Sequence, residues 1–191
     1  VHGDHWLGNH AIRAAYPNVP IYAHRRMINR VNTGEGEDWL KLFMGMTKGA
    51  VAGTRVVGPN IGLQGGEALV LDGVALRIHH LGPAHTDHDL LIEVVEDRAM
   101  LCGDVVVVGH LPNSDVPRDA DFGGTIKAIH ALLDGSATTF VPGHGRSGGR
   151  EVPETALRFL ERLYALVKRY YLQGLADFEI KDQGIRDLDE Y

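Results

Sequence analysis

The stretch LLIEVVEDRAMLCGDVVVV, residues 90–108, decides the class of fold. Leu90 to Val95 and Ala99 to Val108 are almost wholly apolar runs of strand length, split by the polar turn Glu96-Asp97-Arg98. Runs that are apolar at nearly every position, rather than at alternate ones, belong to strands buried on both faces. Just upstream, Ala68 to Leu71 and Val74 to Leu81 flank an Asp72-Gly73 turn, which is a hairpin signal. Downstream, Gly124 to Leu133 predicts a helix, Thr138 to Val141 a short strand, and Pro153 to Leu172 the longest helix. That last helix sets Leu157, Leu160, Leu163, Tyr164, Val167 and Tyr171 on one face, and its Tyr164, Tyr170 and Tyr171 read as core and helix-end packing. In the first third, Leu7 to Tyr16 predicts a helix stopped by Pro17, Ile21 to His24 a strand, and Arg25 to Val31 and Asp38 to Met46 further helices. Gly49 to Gly66 reads as an irregular excursion. Strands alternating with helices predict a layered α/β domain over residues 1–174, followed by an acidic C-terminal tail over 175–191.

The chain of 191 residues has 25 acidic and 19 basic side chains and a net charge of −6, which argues against a nucleic-acid partner. No apolar run approaches the roughly 20 residues of a spanning helix, so no membrane partner is expected. The single cysteine, Cys102, has no internal disulfide partner and reads as a small buried hydrophobe. The chain opens at Val1, already at the edge of its principal motif, so it reads as a fragment of a longer chain. Its compartment, cytoplasm or periplasm, is therefore left open. Histidine occurs 11 times, and that directs attention to metal ligands.

Four short segments carry the chemistry. They are His2-Gly3-Asp4-His5 before a helix, Gly82-Pro83-Ala84-His85-Thr86-Asp87 after a strand, Cys102-Gly103-Asp104 at the end of an apolar run, and Pro142-Gly143-His144-Gly145 after a short strand. Each sets His or Asp where a strand hands over to a loop, with Gly or Pro beside it. In layered α/β folds such loops gather at one edge of the sheet. On an extended segment His2 and Asp4 would face one pocket, and a turn at Gly3 to His5 would bring the next imidazole in from another side. Imidazoles and carboxylates suit zinc and other first-row divalent cations. This many donors exceed the need of one tetrahedral ion and suit two.

In these four segments, taken in order, the chain resembles the metallo-β-lactamase superfamily. That family carries His-x-His-x-Asp-His, a lone His after a strand, an Asp after an apolar strand, and Pro-Gly-His-Gly. His2-Gly3-Asp4-His5 matches the last four positions of the first motif, and Trp6-Leu7-Gly8-Asn9 resembles its continuation. His85, Asp104 and His144 match the other three. The family's opening histidine would fall one residue before Val1. The resemblance implies an αββα four-layer sandwich lacking its first strands. It assigns His2 and His85 to a first metal, Asp4, His5 and His144 to a second, and Asp104 to a bridge between them. Two divalent ions are implied, zinc before iron or manganese, with a shared hydroxide that attacks an ester, thioester, lactone or amide. Asp4 and Asp104 are the implied catalytic carboxylates, Asp4 as proton acceptor and Asp104 as the group fixing the metals.

Asp87, His88 and Asp89 follow His85 closely and are candidates for contacts behind the ligands. His110 is a candidate at the rim of the site. His10, His24, His79, His80 and His130 read as structural or solvent-facing. Two other functions compete with a dinuclear hydrolase acting on a small-molecule substrate. One is a mono-iron persulfide dioxygenase on the same framework. The other is a catalytically incomplete remnant that pairs with a partner, possible as a homo-oligomer through an uncovered sheet edge.

Overall fold

The computed structural model describes residues 2–112 and 120–188. Val1 and the last three residues of the expected tail lie outside them. A 3-10 turn at Gly3–His5 leads into α1 (Asn9–Ala15), β1 (Tyr22–His24) and α2 (Arg25–Arg30), and a distorted turn at Val31–Glu35 leads to α3 (Gly36–Met46). Then come β2 (Ile61–Leu63), β3 (Ala68–Leu71), β4 (Val74–His79), β5 (Leu91–Val94) and β6 (Ala99–Val107). The chain closes with α4 (Phe122–Asp134), β7 (Thr139–His144), α5 (Glu151–Leu172) and α6 (Asp177–Asp187). The architecture is the expected mixed α/β one, with two sheets and helices packed on them.

The larger sheet has the order β3-β4-β5-β6-β7, antiparallel up to β6 and parallel between β6 and β7. α4 and α5 cover one of its faces, where Leu91, Met100, Cys102, Val105 and Phe140 meet Ala128, Ile129, Leu132, Leu157 and Leu160. The smaller sheet pairs β1 with β2 in parallel, and α2 packs beside it. β2 lies inside the segment that reads as irregular. Its three residues, Ile61, Gly62 and Leu63, are too few to show a period, and the pairing with β1 rather than local pattern makes them a strand.

The apolar stripe of α5 outruns the core. A helix of 22 residues is about 33 Å long. Leu157 and Leu160 are buried in the main core, whereas Tyr164, Val167 and Tyr171 are exposed at 51%, 40% and 71%. The expectation that these aromatics pack in the core is therefore corrected. Tyr164 stacks on Phe122 at 6.3 Å between ring centroids, and the far half of the helix meets α6 instead, with Leu166 against Gly184. Residues 177–187, read from sequence as part of a tail, are thus helical.

Two local features aim the loops of the larger sheet. The pairing of β6 with β7 slips between Leu101 and Gly103 and again between Gly103 and Val107. Gly103 has φ +52°, and the irregularity re-aims the residue that follows, which is Asp104. Phe140 is fully buried at the centre of this sheet–helix interface. Phe140→Ala is expected to cost about 3–5 kcal/mol, measured as a lower urea midpoint at unchanged slope.

Candidate metal centre

The 3-10 turn at Gly3–His5 replaces the extended arrangement expected for the first motif. On such a turn residues three apart eclipse one another. His2 and Asp4 therefore do not share the single face that an extended segment would give them. The turn is packed from outside: a Cβ on Gly3 would lie 3.1 Å from Leu7, 3.2 Å from Phe43 and 3.3 Å from Trp39. The Trp39 ring also stands 5.0 Å from the His2 ring. Sequence reading missed Trp39, because a tryptophan on an amphipathic helix gives no sign of what it faces.

All six proposed ligands come together, in two clusters. His2, His85 and Asp104 form one, and Asp4, His5 and His144 the other; in each, one donor atom per residue lies within 4.8 Å of the rest. In the first, His85 Nε2 is 3.0 Å from His2 Nδ1. Asp104 Oδ2 is 3.3 Å from His85 Nε2 and 3.6 Å from His2 Nδ1. In the second, Asp4 Oδ2 is 3.1 Å from His144 Nε2 and 3.4 Å from His5 Nε2. Asp104 Oδ1 reaches into this second cluster, 3.1 Å from His5 Nε2 and 3.4 Å from His144 Nε2. His2 and Asp4 thus fall in different clusters, and Asp104 touches both.

The donor set fits divalent cations. Tetrahedral bonds of about 2.0–2.1 Å separate ligand atoms by about 3.3 Å, the same range as these contacts. Asp104 Oδ1 is buried and makes no hydrogen bond among the described residues, although two imidazole nitrogens surround it. A cation among the three would satisfy all of them. Burial works against charge on Asp104, yet the imidazoles of His2, His5 and His85 hold its pKa far below the carboxylate range. Beside that carboxylate the pKa of His5 rises above its ordinary 6.5.

β7 delivers His144, and its neighbour Gly143 explains the close approach to Asp104. A Cβ at Gly143 would collide with Asp104 Oδ1 and would lie 2.7 Å from the Asp104 backbone nitrogen. His110 is exposed, with its ring edge-on to His144 at 5.0 Å between centroids, so it stands at the rim of the second cluster. Asp87, His88 and Asp89 lie behind His85 rather than in either cluster. His88 Nδ1 is 2.6 Å from Asp87 Oδ1, and Asp89 accepts the Thr86 backbone N–H at 2.7 Å. Arg26 and Arg30, which the sequence did not single out, stand 3.2 Å and 3.5 Å from Asp87. Cys102 is buried, which pushes its thiol up to about 12 and suits a packing role. Four of the five remaining histidines have polar partners: His24 accepts from the Arg26 backbone, His79 meets Glu93, His80 meets the Asp89 carbonyl, and His130 meets Glu161.

A family model described as the metallo-beta-lactamase superfamily matches residues 1–144. Among solved structures, a metallo-β-lactamase from Pontibacter korlensis aligns with a TM-score of 0.57 at 17% identity, over 81% of this chain and 63% of its own. FIM-1 from Pseudomonas aeruginosa, in its mono-zinc form, gives 0.56 at 16% identity, over 80% and 60%. A metallo-β-lactamase family protein from Thermus thermophilus gives 0.55 at 23% identity, over 78% and 56%. The chain spans about three fifths of the length of these structures. At such identities the likeness is one of fold. No curated protein matches the sequence significantly.

Gly143→Ala is expected to displace Asp104 and cut zinc binding while circular dichroism shows the helices and strands retained. A second outcome concerns pH. Burial drives the His88 pKa from 6.5 down to about 3. Between those values the unfolded chain binds a proton that the folded chain does not, so stability falls as pH drops from 6.5 toward 3. The slope from this one group reaches about 1.4 kcal/mol per pH unit. Urea unfolding from pH 7 to pH 5 is expected to show a shallower decline for His88→Asn than for the wild type.

Proposed function

Because the chain belongs to the metallo-β-lactamase superfamily, we propose that it is a metal-dependent hydrolase whose centre holds two divalent cations, zinc before iron or manganese. The observation that carries this reading is the division of Asp104, with one oxygen facing His2 and His85 and the other facing His5 and His144. His2, His85 and Asp104 would hold one cation, and Asp4, His5 and His144, with Asp104 shared, the other. Bound there, the cations supply Lewis-acid polarisation of a substrate carbonyl and lower the pKa of a water toward neutrality.

The protein's own groups account for orientation and proton movement. Asp104 is buried and stays ionised, so it offsets cationic charge without serving as an acid at neutral pH. Asp4 lies at the open side of the site, with its side chain 35% exposed. It is placed to accept the proton of the attacking water as the new C–O bond forms. It then returns that proton to the leaving oxygen, sulfur or nitrogen as the old bond breaks. This cycle suits an ester, thioester, lactone or amide and leaves Asp4 unchanged. Val105, Val107, Phe122 and Phe159 line an apolar cavity beside His85 and Asp104. Such walls keep the local dielectric low and strengthen every charge interaction at the centre.

Elemental analysis of the purified chain is expected to find two equivalents of zinc. Substitution of groups behind a ligand typically costs 10–100-fold in metal affinity, so removal of the shared carboxylate in Asp104→Ala is expected to cost more than about 100-fold. Both equivalents and hydrolysis of a panel of ester, thioester, lactone and amide substrates should be lost together. Full metal content and activity in Asp104→Ala would overturn the assignment. One iron per chain with oxygen uptake on a thiol persulfide would overturn the hydrolase reading.

A further inference from the structure

The loop from Ala84 to Asp89 carries His85 and is buried for most of its length, with Ala84, His85, Thr86 and His88 at 1%, 3%, 2% and 4% exposure. Polar groups in such a loop cannot be left to water and need partners within the protein. Asp89 serves from one side, accepting the Thr86 backbone N–H at 2.7 Å and the Thr86 hydroxyl at 2.6 Å. Thr86 Oγ1 in turn accepts the His88 backbone N–H at 3.3 Å. These bonds define the turn, and its two ends are held by the Asp121 N–H donating to the Ala84 carbonyl at 2.8 Å and by His80 Nδ1 at 2.9 Å from the Asp89 carbonyl.

Asp87 adds a tie from the middle of the loop to α2. Arg26 donates to its backbone carbonyl at 3.1 Å and to its Oδ2 at 3.2 Å. Arg30 stands 3.5 Å from Oδ1 and is itself paired with Glu35 at 2.6 Å. On the inner side, the buried imidazole of His88 meets Asp87 Oδ1 at 2.6 Å through Nδ1. The neutral ring donates this proton, and the carboxylate accepts it while facing two guanidiniums. Both arginines belong to α2, which packs beside the smaller sheet, whereas His85 follows β4 of the larger one. One carboxylate thus fixes the His85 loop against the other half of the molecule.

We propose that Asp87, held between the α2 arginines and the buried His88, is a positioning residue that sets His85 within the His2–His85–Asp104 cluster and so governs the cation held there. The Asp4–His5–His144 cluster has no share in this loop. The inference rests on the metal-centre reading above. Without the Asp87 carboxylate, Arg26 loses its link to the loop and the His88 Nδ1 contact at 2.6 Å is lost, so the stretch next to His85 is held to α2 less firmly while its ends stay anchored.

The test is a zinc titration of the metal-free full chain, followed by calorimetry and by competition with a chelating dye. Wild type is compared with Asp87→Ala, His88→Asn and His88→Phe. The expected result is two resolved affinities in the wild type, one of them weakened about 10–100-fold in Asp87→Ala and the other unchanged. His88→Asn, which keeps a donor toward Asp87, should stay closer to wild type than His88→Phe. Equal loss of both affinities, in step with a lowered Tm, would make Asp87 a general prop of the fold and overturn the proposal. Two unaltered affinities in Asp87→Ala would overturn it as well, leaving the metal centre standing. A wild-type chain that binds no zinc would overturn the metal centre and this inference with it.

Discussion

A carboxylate taken out of water is costly unless its charge is met, and in this molecule four imidazoles meet the charge of Asp104. Much of the surrounding architecture follows from that requirement. The carboxylate sits on β6, which is paired with β5 on one side and β7 on the other, so partners reach it where the pairing with β7 is broken. The slip at Gly103 provides the break, and Gly143 on β7 leaves the space into which Oδ1 projects. The imidazoles then arrive from three separate parts of the chain: the 3-10 turn, the loop after β4, and the end of β7. No local segment could assemble such a ring of donors alone, which is why the centre depends on the whole fold.

Packing around the centre serves the same end. Trp39 and Phe43 of α3 leave no room for a side chain at Gly3, in the turn from which His2 and His5 both face Asp104. The arginines of α2 do for the His85 loop what α3 does for the turn, by charge rather than by apolar contact. Side chains from the smaller half of the molecule therefore hold two of the ligand-bearing segments. Those segments are in turn what join the two halves at the site.

Much of this was legible in the sequence, for identifiable reasons. The apolar runs around residues 90–108 and the Asp72-Gly73 turn gave strands because they are long enough to show a pattern, whereas three residues at β2 are not. The four His and Asp segments stood out because each joins a ligand-type residue to Gly or Pro at an element boundary. Their clustering, and the sharing of Asp104, came from resemblance and are visible in the geometry. What local reading could not supply was direction. It set His2 and Asp4 on one face by assuming an extended strand, but the backbone turns at Gly3 and divides them between clusters. It placed Tyr164 and Tyr171 in the core from the period of α5, though period says nothing about where the sheet beneath a helix ends. Arg26, Arg30 and Trp39 carry no local signature, because their significance lies in partners about 40 to 60 residues away in sequence.

The two clusters are unequal, and the inequality has chemical content. Side chains of His85, Asp104 and His2 are 4%, 9% and 12% exposed, whereas those of Asp4, His144 and His5 are 35%, 36% and 38% exposed. In the buried cluster the dielectric is low and charge interactions are strong. The open cluster has weaker fields but is accessible to a substrate, and His110 stands over it. Asp104 joins the two, so charge bound on the buried side is felt on the open side through one rigid carboxylate. A proton acceptor is useful only where water and substrate arrive, and Asp4 belongs to the open cluster. In the proposed centre, the difference in burial would suit retention of a cation at one half and turnover at the other.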